Sequence, residues 1–171
     1  MKRIVIKVGS SVLTETTSIA KERMLNLASL IAEARKKYEV ILVTSGAVAA
    51  GYTAVKLNRT VPTSKKVLAS VGQPILMSSY KNLFDIFDIT ISQILMTEDN
   101  FNSRPHTEIF QDIIERTIKN DILAIVNEND ISTTSEELFG DNDQLSAHVT
   151  YYAGADMLVI LSDIDVYYNS N

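Results

Sequence analysis

Two short clusters of acids and amides carry the densest chemistry in this sequence. Val126-Asn127-Glu128-Asn129-Asp130 comes first, and Gly140-Asp141-Asn142-Asp143-Gln144-Leu145-Ser146-Ala147 follows after a polar loop. The first closes an apolar run, Ile122 to Val126, as a buried strand does when it delivers polar groups to a sheet edge. In the second, Gly140 supplies a tight turn and Asp141 stands where a helix should begin. Carboxylates and carboxamides gathered in this way complement a ligand that brings both a cation and hydrogen-bonding groups, such as a free amino acid. Asp and Asn are also ordinary cap and turn residues, so either cluster alone has a purely structural explanation.

A third segment, Lys7-Val8-Gly9-Ser10-Ser11, sets a lysine at a strand end before a glycine turn with open backbone N–H groups. That arrangement suits a phosphate, with the ammonium as a point charge, but it equally describes a solvated strand-end lysine. Gly46-Ala47-Val48-Ala49-Ala50-Gly51 has the glycine spacing of a P-loop, yet Tyr52-Thr53 stands where Lys-Ser/Thr is needed. It is not Gly-x-Gly-x-x-Gly either, which argues against a dinucleotide oxidoreductase. Its small residues instead let a helix start approach a ligand, with N–H groups aimed at a carboxylate. Ser45 has no glycine two positions before it, so there is no nucleophile elbow. His106 and His148 lack metal-ligand spacing, and no metal site is expected. His148 is expected at a surface or interface. Ser162-Asp163-Ile164-Asp165 could hold a ribose or base edge, or cap a turn.

The elements that must position these groups alternate. Strands are expected at Arg3–Val8, Glu39–Val43, Ile89–Met96, Ile122–Val126 and Met157–Leu161. Between them helical spacing recurs at Met24, Leu27, Ala28, Ile31 and Ala34, and again over 64–87, with a bend or break near Gly72-Gln73-Pro74. Pro105 suits a first helical turn, with Phe110, Ile113, Ile114 and Ile118 as the buried stripe, and a last helix spans 141–152. The polar connection Asn58 to Pro62 is the expected flexible segment. Alternation of this kind indicates an open, mainly parallel sheet between helices. Ligands of such sheets bind beyond the carboxyl ends of the strands, so all candidate groups should face one rim.

The totals bound the class. At 171 residues with 46% hydrophobic content, the chain has enough material for one substantial core. No apolar run approaches the roughly 20 residues of a membrane span, and Met1 to Lys7 lack the long apolar h-region and small-residue cleavage site expected of a signal peptide. The absence of cysteine rules out disulfides, and the net charge of −5 argues against broad nucleic-acid binding, which needs a basic footprint. A soluble cytoplasmic α/β protein is expected, with no nucleic-acid or membrane partner.

Taken together, these segments resemble the amino-acid kinase family, in its glutamate-phosphorylating branch. The resemblance rests on Val5 to Ser11, Val43 to Gly51, Leu68-Ala69-Ser70-Val71-Gly72-Gln73, the two acid-amide clusters, and Leu161-Ser162-Asp163, in family order. It implies an αβα sandwich and transfer of the ATP γ-phosphoryl group, with Mg²⁺ carried mainly by the nucleotide. The acceptor would be the side-chain carboxylate of L-glutamate, giving glutamyl 5-phosphate, the first step of proline biosynthesis. By the same resemblance Lys7 serves the transferring phosphoryl group and Asp143 orients catalytic lysines. Ser45, Gly46, Asn127, Asp130, Asp141 and Asn142 bind the acceptor, and Lys7, Gly9, Ser10, Ser162 and Asp163 contact the nucleotide. A homo-oligomer and proline as feedback inhibitor are also implied.

Two departures accompany the resemblance. Val166 stands where relatives carry Gly, and the family's Gly-Gly-Met-x-x-Lys-like loop with its second catalytic lysine does not occur in these residues. Residues 1–171 are therefore expected to be an amino-acid-binding lobe plus the start of a nucleotide-binding lobe, inactive alone, with the C-terminal part missing. Two other readings stay open at this point: a family member with another acceptor, such as aspartate, and a non-enzymatic glutamate or proline sensor.

Overall fold

A computed structural model describes residues 1–14, 19–132 and 142–162. The apolar runs become five strands: β1 (Lys2–Val8), β2 (Tyr38–Val43), β3 (Ile91–Met96), β4 (Leu123–Glu128) and β5 (Met157–Leu161). They form one sheet in the order β3-β4-β2-β1-β5, and every pair is parallel. Parallel strands need crossover connections, and the helices supply them.

Alternation along each strand decides which helix lies on which face. Ile4, Ile6 and Val8 of β1 point one way, with Leu42 of β2 and Ile125 of β4. Beyond the short α1 (Ser10–Leu13), they pack against α2 (Lys21–Arg35) and α4 (Pro62–Asp85) through Met24, Leu27, Leu76 and Phe84. Val5, Ile41, Val43, Ala124 and Val126 point the other way, onto α5 (Glu98–Phe101), α6 (Arg104–Lys119) and α7 (Asp143–Tyr152). The sheet is thus covered on both faces, as unbroken apolar strands require. Among the described residues no helix is long and apolar enough to cross a membrane.

Two expectations are corrected. Helix α4 continues through Gly72-Gln73-Pro74 without a break. Pro74 lies on its exposed side, where the carbonyl that the missing N–H leaves free is open to solvent. In α6 the buried seam is Thr107, Phe110, Ile114 and Thr117, with Ile118 packed at its margin. Ile113 falls beside that seam and is 41% exposed. The predicted last helix begins at Asp143; residues 133–141 lie outside the described set.

One packing contact matters for the site. Helix α3 (Ala47–Ala54) lies backbone to backbone on α4: a Cβ on Gly51 would overlap the Leu68 carbonyl, and one on Gly72 the Ala47 carbonyl. Glycine at both positions is what permits this approach.

Candidate functional site

The carboxyl ends of β1, β2 and β4, neighbours in the middle of the sheet, deliver the polar residues to one rim. Beyond β2 the chain turns sharply at Gly46, whose φ of 98° only glycine adopts without strain, and enters α3. Thr44 pins this turn. Its N–H donates to the Val126 carbonyl at 2.9 Å, and its hydroxyl pairs with the buried Tyr80 hydroxyl at 2.8 Å. Burial pushes the Tyr80 phenol well above its usual range, so it is a neutral anchor.

A cleft of about 240 Å³ opens on this rim. Ser10 lines it from the end of β1, Ser45 and Gly46 with the first turn of α3 from the end of β2, and Asn127, Glu128 and Asp130 from the end of β4. Asn142 enters from the residue before α7, in a left-handed conformation with φ of 57° that asparagine tolerates better than most side chains.

Hydrogen bonds lock the two asparagines together. Asn142 Nδ2 donates to the Thr44 carbonyl at 2.6 Å and to Asn127 Oδ1 at 2.8 Å. Asn127 Oδ1 also accepts from the Glu128 N–H at 2.9 Å, and its Nδ2 donates to Gln73 Oε1 at 2.7 Å. Both asparagines are buried.

Lys7 is fully buried, which excludes the solvated strand-end alternative. It lies on the α7 face of β1, and its Nζ reaches Asp143 Oδ1 in the first turn of α7 at 2.8 Å. A buried ammonium requires such a partner, and Asp143, with 60% of its side chain exposed, carries that charge to the surface. Asp143 and Asn142 adjoin in sequence, so the ion pair sits next to the amide pair.

Asp130 differs from an ordinary surface carboxylate. Burial pushes its pKa up to about 6, against the pull of a backbone N–H and the Lys66 charge. A cationic ligand group would stabilise its ionised form.

Ser10, Ser45, Gly46, Asn127, Asp130 and Asn142 therefore share one cleft, with Lys7 and Asp143 beside it. Gly9 and Ser162 follow the adjacent strands β1 and β5, and the Gly9 N–H bonds the Leu161 carbonyl at 3.3 Å. Neither lines the cleft. Asp141 and Asp163 lie outside the described residues. His148 is half-buried and stacks on Phe101 at 5.0 Å, away from the cleft lining.

Sequence reasoning missed two groups. Arg59 lines the cleft from the connection after α3, its guanidinium 4.4 Å from the Tyr52 ring centroid; the Lys56 ammonium is 4.1 Å from the same ring. No motif marks it; the only signal was a lone aromatic, Tyr52, followed closely by two cations, Lys56 and Arg59. Gln73, inside a recognised segment but without a role, touches Asn127 across 54 residues of sequence. Among the described residues no group of three or more His, Cys, Asp or Glu side chains could hold a metal ion.

A parallel sheet with helices on both faces and a polar cleft at its carboxyl rim defines an open α/β sandwich of the kind that binds ligands beyond its strand ends. The chain belongs to the amino acid kinase family, whose model matches residues 2–171. Among curated proteins it is similar to the glutamate 5-kinases of Helicobacter hepaticus (45% identity over 99% of this chain), Leishmania donovani (46% over 100%) and Wolinella succinogenes (47% over 100%). It spans 64%, 65% and 67% of those proteins. Solved structures share the fold at low identity. An isopentenyl phosphate kinase from T. acidophilum gives a TM-score of 0.66 at 10% identity, covering 99% of this chain and 74% of that one. UMP kinase from Ureaplasma parvum gives 0.63 at 17%, covering 98% and 72%.

Proposed function

We propose that this chain is the amino-acid-binding lobe, with the start of the nucleotide-binding lobe, of a glutamate 5-kinase. The observation that carries the reading is the juxtaposition of the buried Lys7, paired with Asp143, and the cleft lined by Asn127, Asp130 and Asn142. In the reaction an oxygen of the glutamate side-chain carboxylate attacks the γ-phosphorus of ATP. The bond to the β,γ-bridging oxygen breaks, and glutamyl 5-phosphate and ADP leave.

The chain's residues divide the work. Asp130, Asn142 and Asn127 hold the acceptor's backbone-like end, Asp141 assists, and Ser45, Gly46 and the α3 N–H groups face a carboxylate. Lys7 steadies the migrating phosphoryl group, and Asp143 keeps Lys7 in place. Gly9, Ser10, Ser162 and Asp163 belong to the nucleotide side. Acceptor and polyphosphate repel by roughly 4 kcal/mol per unit-charge pair at 4 Å and an effective dielectric of about 20. Lys7 alone does not offset that, so the full reaction needs further cations. Mg²⁺ would arrive with the nucleotide, since the described carboxylates do not fit a resident site. A cytoplasmic homo-oligomer inhibited by proline completes the reading.

Calorimetry with L-glutamate, L-aspartate and Mg-ATP tests it. L-Glutamate should bind and L-aspartate bind at least tenfold more weakly, the spacing between its two carboxylates being one methylene shorter. Purified residues 1–171 should form no acyl hydroxamate from ATP, glutamate and hydroxylamine. Equal affinity for both amino acids would overturn the acceptor assignment, and hydroxamate formation would overturn the incompetence of these residues alone.

A further inference from the structure

The amides at the bottom of the cleft form a chain whose direction is fixed by two backbone groups. At one end the Thr44 carbonyl can only accept, and it takes one hydrogen of Asn142 Nδ2. In the middle the Glu128 N–H can only donate, and it takes a lone pair of Asn127 Oδ1. Asn142 Nδ2 supplies its other hydrogen to the same Asn127 oxygen. A primary amide has two hydrogens on nitrogen and two lone pairs on oxygen. Asn142 has therefore spent both hydrogens, and Asn127 both lone pairs. What Asn142 can still offer a ligand is an acceptor, Oδ1; what Asn127 can still offer is its second N–H.

Flipping either amide would set N–H against N–H or oxygen against oxygen inside a buried site, which costs more than the bonds themselves contribute. The far end of the chain needs an acceptor for the first Asn127 N–H, and Gln73 Oε1 provides it at 2.7 Å. Gln73 is itself held by Gln93 on β3, its Nε2 donating to Gln93 Oε1 at 2.8 Å.

We infer that Gln73, steadied by Gln93, is a positioning residue for acceptor recognition. It holds Asn127 so that the cleft presents one fixed acceptor beside one fixed donor, the complement of a zwitterion's ammonium and carboxylate. The inference rests on the proposed acceptor-binding role. It assigns the preference for a free amino group to an amide chain reaching the sheet's edge strand, and not to the acids alone.

The test compares L-glutamate with glutarate, which lacks the ammonium, by direct and competition calorimetry on the protein. Gln73→Leu should weaken L-glutamate about tenfold and glutarate far less, because an Asn127 that has lost one of its anchors holds the Asn142 amide less firmly, and with it the Oδ1 that accepts from the ammonium. The affinity ratio between the two ligands should therefore fall. Gln73→Glu, which keeps an acceptor for Asn127, should restore most of that ratio. Gln93→Leu, an exposed change that leaves the fold intact, should lower the ratio by about twofold to threefold. Equal weakening of both ligands by Gln73→Leu, or an unchanged ratio in Gln93→Leu together with one not restored by Gln73→Glu, overturns the inference. If the parent protein binds no L-glutamate, the acceptor-binding reading itself fails, and the inference with it.

Discussion

The Lys7 ammonium lies 2.8 Å from the Asp143 carboxylate, joining the central strand β1 to the first turn of α7. The two residues are 136 positions apart in sequence, and the pair is what couples the sheet's rim to the helix that carries Asn142. Lys7 is buried and Asp143 largely exposed, so the aspartate gives an enclosed ammonium the partner that its burial requires.

The first expectation concerns that lysine. On the proposed function, Lys7→Met placed in an active glutamate 5-kinase that contains these residues should lower kcat by about 10²–10³-fold, the usual loss when one group stabilising transition-state charge is removed. L-Glutamate affinity should change by less than about threefold, because Lys7 does not line the acceptor cleft. Steady-state kinetics paired with calorimetry separates the two; a parallel loss of binding would contradict the division of roles.

Asp143→Asn keeps the side-chain volume but removes the partner of a buried charge. Urea unfolding should show a loss of about 1–3 kcal/mol, below the value for a fully enclosed pair because Asp143 is largely exposed. Adding Lys7→Met to Asp143→Asn should recover part of the loss, since no unpaired charge is then buried.

The raised pKa of Asp130, about 6, gives binding a pH dependence. If Asp130 meets the ammonium, L-glutamate affinity should fall as pH drops through about 6, and Asp130→Asn should flatten that fall. Stability moves the opposite way. The folded pKa exceeds the unfolded one, so this residue's contribution is full below pH about 4 and is lost as pH rises through about 6. Calorimetry and urea titrations between pH 4.5 and 8, all in order-of-magnitude steps of proton activity, read both slopes.

Gly72→Ala should be far more costly than an ordinary helix substitution. Its Cβ would overlap the backbone of α3 at Ala47 and Gly51, forcing the helices apart. A destabilisation of about 3 kcal/mol is expected, with loss of ligand binding because the first turn of α3 lines the cleft. Chemical denaturation and a binding titration on the same sample check both.

Arg59 provides the remaining test. If the cleft receives a dicarboxylic amino acid as proposed, the guanidinium should engage one of its carboxylates, and Arg59→Ala should weaken L-glutamate about tenfold. Because Arg59 is exposed, that difference should shrink as salt is raised. Calorimetry at two ionic strengths measures it.

Much of the architecture was legible in the chain itself. Short apolar runs rich in β-branched residues and closed by polar ones, such as Ile122 to Val126, have the length and composition of strands covered on both faces, and the helical spacing at Met24, Leu27 and Ile31 needs only local periodicity. The polar residues closing those runs, from Ser45 to Asn127, were already bound to face one rim, because strands of a parallel sheet all end on the same side. Local reading failed where local rules were outweighed. Pro74 did not break α4, since its lost bond falls on the solvated side, and Ile113 left the core because helical phase, not hydrophobicity, chooses the buried stripe.

Tertiary structure alone decided the fate of charges and amides. Nothing near Lys7 in sequence says whether its ammonium meets water or a carboxylate; the order of the strands and the landing point of α7 determine that. The same holds for Asn127, Gln73 and Gln93, which are scattered over three elements yet share one chain of hydrogen bonds. Periodicity is a property of neighbours along the chain, whereas an ion pair or an amide's polarity depends on which distant atoms lie within 3 Å or so.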